Sequence, residues 1–231
     1  MQKNQNAVEK FDAPAPAPVS VVLDVPAGRI QLIAADRADV TVEVRPANAD
    51  KSRDVKAAEE IEVVYADGVL RIEAPEATNR FLGHSGSVEV TVQLPAGSRV
   101  EGKAGAAEFR GVGRLGDVTF AGGYRSVKLD EAASARLTAH DGDVSVGRLN
   151  GPAEISTQRG DIQITEAVRG TVTLRTAKGD ISVGAARGVS AALDAGTSYG
   201  RIHNALKNAD GTPGLTILAT TSYGDITARS L

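Results

Sequence analysis

A chain of 231 residues is long enough to bury a sizeable core, and with 4 Phe, 4 Tyr and no Trp that core must be built from Val, Ile, Leu, Ala and Thr. The net charge of −3, with Lys and Arg scattered, leaves no electrostatic footprint for nucleic acid, so no nucleic-acid partner is expected. Without cysteine there are no disulfides, no thiolate metal sites and no cysteine nucleophile.

Met1 to Pro18 reads as a disordered tail: Gln2 to Asn6 is polar, and Ala13-Pro14-Ala15-Pro16-Ala17-Pro18 favours extended polyproline structure. It has no apolar core of a signal peptide, and no stretch is long enough to cross a bilayer. The expectation is a cytoplasmic protein with no direct membrane insertion. Residues 19–98 read as an N-terminal β region, a candidate cap for the repeats beyond it. Val19 to Val25 alternates and ends at a Pro26-Ala27-Gly28 turn; Asp39 to Val44 alternates again; Val88 to Leu94 runs into Pro95-Ala96-Gly97. Between them, Ile61 to Tyr65, Asp67-Gly68 and Val69 to Ile72 spell a hairpin. Ala47 to Glu60 is charged, a loop or a short helix over Arg53–Glu60, and Thr78 to Gly86 reads as a mobile loop.

From residue 99 the pattern turns into coils, irregular at first (Gly116-Asp117-Val118, Tyr124 to Leu129) and then regular from Ser134 to Leu231. One phrase recurs: Gly142-Asp143-Val144, Gly160-Asp161-Ile162, Gly179-Asp180-Ile181, the weaker Gly200-Arg201-Ile202, and Gly224-Asp225-Ile226. These glycines are 18, 19, 21 and 24 residues apart, a period that marks a solenoid of stacked units. Aligned on the glycine, inward columns appear at steps of two: Ala135, Ala153, Val172, Leu193, Ile217; then Leu137, Ile155, Leu174, Ala195, Ala219. Three residues before the glycine stand Ala139, Thr157, Thr176, Thr197 and Thr221, a ladder whose hydroxyls are one coil apart. Val144, Ile162, Ile181, Ile202 and Ile226 resume the inward column beyond the corner. The fold class is therefore all-β, a single-chain solenoid over 99–231.

Two sets of side chains stand out as surface candidates. Asp143, Asp161, Asp180 and Asp225 form an outward column at the corners, held by solvent, by backbone N–H groups or by a cation. Tyr199 and Tyr223 each precede a corner glycine, and either hold a sugar ring or cover each other and Lys178. Ala205 to Thr212 lengthens its repeat and protrudes, as a binding loop or a tolerated insertion. The C-terminal coil, Asp225 to Leu231, is expected at the open end, covered by an Ala205–Pro213 loop or paired with a second copy in self-association.

The Gly-Asp-Ile/Val phrase at this period, behind a strand region with Pro-Ala-Gly turns, resembles the bacterial toast-rack β-strand-repeat family, also called "putative adhesin", over roughly Val19 to Leu231. The resemblance implies a stacked β-solenoid used as an interaction surface, in proteins linked to the cell envelope or to stress responses.

Chemistry is sparse by comparison. No G-x-S-x-G elbow, P-loop or dinucleotide fingerprint occurs, and His84, His140 and His203 lie in unrelated contexts. The expectation is a non-enzymatic interaction or scaffold module with an unknown protein partner, and with no catalytic residue, cofactor or metal. The alternative is a carbohydrate-binding or carbohydrate-active β-helix protein, with the Asp column supplying carboxylates.

Overall fold

The computed structural model describes residues 7–12, 17–75, 86–208 and 212–231. The elements in chain order are β1 (Ala7–Asp12), β2 (Ser20–Ala35), β3 (Asp39–Pro46), α1 (Ser52–Glu60), β4 (Glu62–Ala66), β5 (Val69–Glu73) and β6 (Val88–Pro95). Next come β7 (Arg99–Asp141), β8 (Asp143–Leu149), β9 (Ala153–Arg159), β10 (Ile162–Ala167), β11 (Gly170–Lys178) and β12 (Ile181–Ala185). The chain closes with β13 (Ala191–Tyr199), β14 (Ile202–Ala205), β15 (Leu215–Tyr223) and β16 (Ile226–Ser230). The all-β solenoid expected from the repeats is what forms.

Its first coil lies earlier than the repeats suggest. β2 pairs in parallel with β7 from Ser20↔Arg99 to Ile33↔Val112, and with β5 and β6 on its other side. Pro26-Ala27-Gly28 is thus a corner inside one long strand rather than a turn after it. Gly28 has φ +130°, and a Cβ there would lie 1.8 Å from the Val88 carbonyl oxygen, so only glycine fits. One apolar core runs from Val19 to Ala228, which joins the 19–98 region to the solenoid. The hairpin expected around Asp67-Gly68 forms as antiparallel β4 and β5, and the short helix as α1. At this end β3 is antiparallel to β6. Ala7–Asp12, expected within the disordered tail, adds as β1 antiparallel to β3, taking up backbone groups that an edge strand leaves free. Gln2 to Asn6, residues 13–16 of the Ala-Pro run and residues 78–85 of the expected mobile loop lie outside the described residues.

The regular coils stack as two parallel ladders, β7-β9-β11-β15-β13 on one side of the corner and β7-β8-β10-β12-β16-β14 on the other. This order departs from the sequence. The C-terminal coil β15–β16 does not end the solenoid: β15 sits between β11 and β13, and β16 between β12 and β14. The end position belongs to β13–β14. The extra length at Ala205–Thr212 is a consequence. The chain steps over one coil to build β13–β14 and must then return to fill the gap, about 4.8 Å per coil. Residues 209–211 of that return lie outside the described residues. Just before them, Lys207 N–H donates to Ser230 Oγ at 2.9 Å and Lys207 O accepts the Ala191 N–H at 3.2 Å.

The inward columns are buried wherever a coil is covered on both sides: Val172 and Leu174 are 0% exposed, Ile181 and Ile226 1%. They fail together in β13–β14, where Ile202 is 47% exposed and Leu193, Ala195 and Thr197 are half-buried. The columns are right and the neighbour is missing.

Candidate functional site

Each corner residue has a partner in the next coil. The Asp161 N–H donates to Asp143 Oδ1 at 2.9 Å, Asp180 N–H to Asp161 Oδ1 at 2.8 Å, and Asp225 N–H to Asp180 Oδ1 at 2.7 Å. The last link is Arg201 N–H to Asp225 Oδ1 at 2.8 Å. So the Asp column is held by backbone N–H groups, one carboxylate oxygen per coil, and these bonds offset the repulsion along it. Among the described residues no group of His, Asp and Glu is arranged to hold a metal ion.

The threonines do not bond to one another as a hydroxyl ladder would. Thr176 Oγ1 donates to Gly160 O at 3.1 Å, Thr221 to Gly179 O at 3.0 Å and Thr197 to Gly224 O at 3.1 Å. A rigid β-branched side chain at half-buried depth reaches the corner carbonyl of the coil below more directly than its neighbour's hydroxyl. The corner glycine is needed for the same approach. A Cβ on Gly179, at φ +149°, would lie 2.1 Å from Gly160 O, and one on Gly224 would lie 2.0 Å from Gly179 O. Gly, Asp and Thr thus form one stacking device, read coil by coil in spatial order.

That order explains the degenerate repeat. An aspartate at a corner serves the N–H of the coil stacked beyond it. Beyond Gly200-Arg201 no coil is stacked among the described residues, so nothing requires Asp there.

Tyr199 and Tyr223 stack face to face, with ring centroids 4.9 Å apart and planes 5° from parallel. Lys178 is in register beside Tyr223 on the other side. One face of Tyr223 is covered by Tyr199, yet both rings stay open to solvent, Tyr223 56% exposed and Tyr199, in the end coil, 67%. His203 lies on exposed β14, and His140 tilts against Tyr124 at 6.2 Å; His84 is outside the described residues.

A cleft of about 580 Å³ opens between the N-terminus of α1 and the corners of β2 and β7. Arg29, Lys51, Arg53, Glu89, Tyr124 and Arg125 line it. Its charges largely answer one another: Arg29 pairs with Glu89 at 3.6 Å and with Glu108 at 3.4 Å, and buried Asp54 accepts the Ser87 N–H at 3.0 Å. Five separate segments supply the lining, so no local spacing in the sequence points to it. Among the described residues its lining includes no histidine and no cysteine.

The remaining feature is the open end. Among the described residues β13 pairs with β15 alone and β14 with β16 alone, so each presents an unpaired edge, save for the Ala191 N–H that Lys207 O accepts. At the other end β1 and β4 are likewise paired on one side only, with β3 and β5. No helix of the described residues is long and apolar enough to cross a membrane.

Several solved structures are similar to this chain at low identity. A "putative adhesin" from Bacteroides fragilis is 14% identical, with 98% of each chain covered and a TM-score of 0.46. One from Parabacteroides distasonis is 13% identical, with 96% of each chain covered and a TM-score of 0.47. A "putative cell adhesion protein" from Clostridium sporogenes is 11% identical over 98% of this chain and 100% of its own, with a TM-score of 0.39. Likenesses this distant carry nothing about ligand or partner. No curated protein matches. The family model described as Toastrack DUF4097 matches residues 20–229, from the first coil through the last β-strand, and the chain belongs to that family.

Proposed function

We propose that the protein is a non-enzymatic interaction module that binds a protein partner through the open end of its solenoid. The observation that carries this reading is the pair of unpaired edges on β13 and β14, with Ile202 47% exposed between them. Elsewhere many of the conspicuous side chains have structural work: the aspartates and threonines join coils, and in the cleft Arg29 pairs with Glu89 and Glu108 and Arg53 with Asp54. A sheet edge offers main-chain hydrogen bonds to an incoming strand, with side-chain positions alternating for specificity. The carbohydrate reading rests on one observation, the outer face of Tyr199.

A photo-crosslinking residue at Ser198, on the open edge, compared with one at Thr173 in the middle of the solenoid, tests the reading in the cells that make the protein. Protein adducts from Ser198 and not from Thr173 are expected. Equal adducts from both positions, or none from Ser198, would count against it. Saturable polysaccharide binding abolished by Tyr199→Ala would establish the carbohydrate reading instead.

A further inference from the structure

Resting on that reading, we propose that the partner at the open end is a second copy of this chain, joined head to head through β13 and β14 in a closed dimer.

Three observations point to this occupant. The first is geometric. Two edges lie open on one end, β13 from Ala192 to Tyr199 (the Ala191 N–H being taken by Lys207 O) and the four residues of β14, with Leu193, Ala195 and Ile202 between them on the uncovered core. A single added strand can pair with one edge and leaves the other, and the apolar residues between, exposed. A body that presents two edges on one end covers both, and the same end of another copy has that arrangement.

The second is charge. Edge strands are ordinarily guarded by lysine, proline or an inward-pointing charge. β13, Ala-Ala-Leu-Asp-Ala-Gly-Thr-Ser-Tyr, carries one charge, Asp194, and neither lysine nor proline. Antiparallel strands related by a two-fold axis place residues of the same face opposite each other, so the axis must pass through a residue. Centred on Gly196 it sets Leu193 against the other copy's Tyr199 and Asp194 against its Ser198. Centred on Ala195 it sets Asp194 against Gly196. Either register avoids carboxylate against carboxylate, which only the axis through Asp194 itself would produce.

The third is closure. The opposite end is finished by antiparallel β1, β3 and β4 rather than by a coil in the solenoid register. That end is not free of edges, since among the described residues β1 pairs with β3 alone and β4 with β5 alone, but these are antiparallel strands unlike β13 and β14. Head-to-tail stacking would have to join unlike ends and would continue into a fibre, whereas head-to-head contact joins like ends and stops at two.

The absence of native cysteine makes a direct test available. Analytical ultracentrifugation of the purified full chain should give twice 23.8 kDa at micromolar concentration, dissociating on dilution. A Cβ at Gly196 meets nothing within 4 Å, so substitutions there leave the single copy intact. Gly196→Lys places two like charges near the axis and should weaken the dimer by on the order of tenfold or more. Under mild oxidation Gly196→Cys should link to itself across the axis, and Val64→Cys, exposed on β4 at the other end, should not. A full chain that sediments as a monomer at every concentration up to its solubility limit overturns the dimer. So does a dimer indifferent to Gly196→Lys, or one in which Val64→Cys links as readily. In those cases, Ser198 adducts with a different protein would leave the interaction reading standing, so the two failures can be told apart.

Discussion

The coils β11–β12 and β13–β14 are written in nearly the same words and have opposite fates. Both have the corner glycine, the threonine three residues before it and the isoleucine two after it. Ile181 is 1% exposed and Ile202 47%. They differ at the residue after the glycine, Asp180 against Arg201, in the inward column, where Leu174 and Val183 face Ala195 and Asn204, and in the presence or absence of a coil beyond. In a stacked fold the character of a repeat depends on its neighbours in space, and decay of the motif marks a spatial end rather than the end of the chain.

The sharpest way to break this comparison is to test the coil order itself. In the structure Thr173, Leu218 and Asp194 form one row, with Leu218 in the middle. Thr173→Cys with Leu218→Cys should form an intramolecular disulfide, and Thr173→Cys with Asp194→Cys should not, because two coils separate them by about 9.6 Å. Mapping the bond by mass spectrometry gives an all-or-none answer, and the reverse pattern would restore sequential stacking.

Next in size is the buried column. Ile181→Asp puts an unpaired carboxylate among apolar side chains and should cost more than about 4 kcal/mol, enough to leave the chain unfolded or insoluble. Ile202→Asp should change stability by about 0.5 kcal/mol or less in the single copy. Urea denaturation below the dimer's dissociation range compares them, and equal losses would mean that the end coil is covered.

A smaller difference is expected at the glycines. Gly179→Ala drives a methyl into the Gly160 carbonyl at positive φ and should cost about 2–3 kcal/mol. Gly196→Ala, free of both constraints, should be neutral or stabilising by up to about 1 kcal/mol. Thermal melts of the two variants give the comparison.

The smallest effect sharpens the role of the corner carboxylates. Asp180→Ala removes the acceptor of the Asp225 N–H and should cost about 1 kcal/mol at this exposed position. Arg201→Asp restores the phrase where nothing is stacked to use it and should change stability by less than about 0.5 kcal/mol. Chemical denaturation of both variants distinguishes a stacking role from a general preference for Asp at corners.

Much of this architecture is legible in the residues. Period-two columns with a glycine corner spell the solenoid, because inward and outward positions in a strand alternate and a Cβ cannot occupy the corner. The hairpin at Asp67-Gly68 is equally local. The stacking order is not, since Gly200 and Gly224 both satisfy the rule for sitting on Gly179, and the hint lies in Arg201 and in Asn204, which stands where Val146, Ile164, Val183 and Ala228 are buried. β2 reads as a strand ending in a turn because Pro-Ala-Gly also spells a turn, and the parallel pairing with residues 99–112 that makes it a coil is long-range. The cleft beside α1 is invisible in the sequence for the same reason. Of the surface candidates, the aspartates are joints between coils, and Tyr223 stacks one face on Tyr199. The open edge has no motif, being defined by what fails to pair with it.

The displaced C-terminal coil has a bearing on how the chain is made. Translation delivers β13–β14 before β15–β16, so the coil that finishes the stack exists while its seat is still unbuilt. Until the last residues emerge, Asp180 has no Asp225 N–H to hold, since that partner lies 45 residues downstream. In that interval β13–β14 can rest on β11–β12, as its glycine and threonine allow, but Arg201 gives it no carboxylate with which to receive a further coil. The coil made later therefore takes the inner place, with β15 between β11 and β13 and β16 between β12 and β14, so this part of the stack is completed by an insertion rather than by an addition at its end.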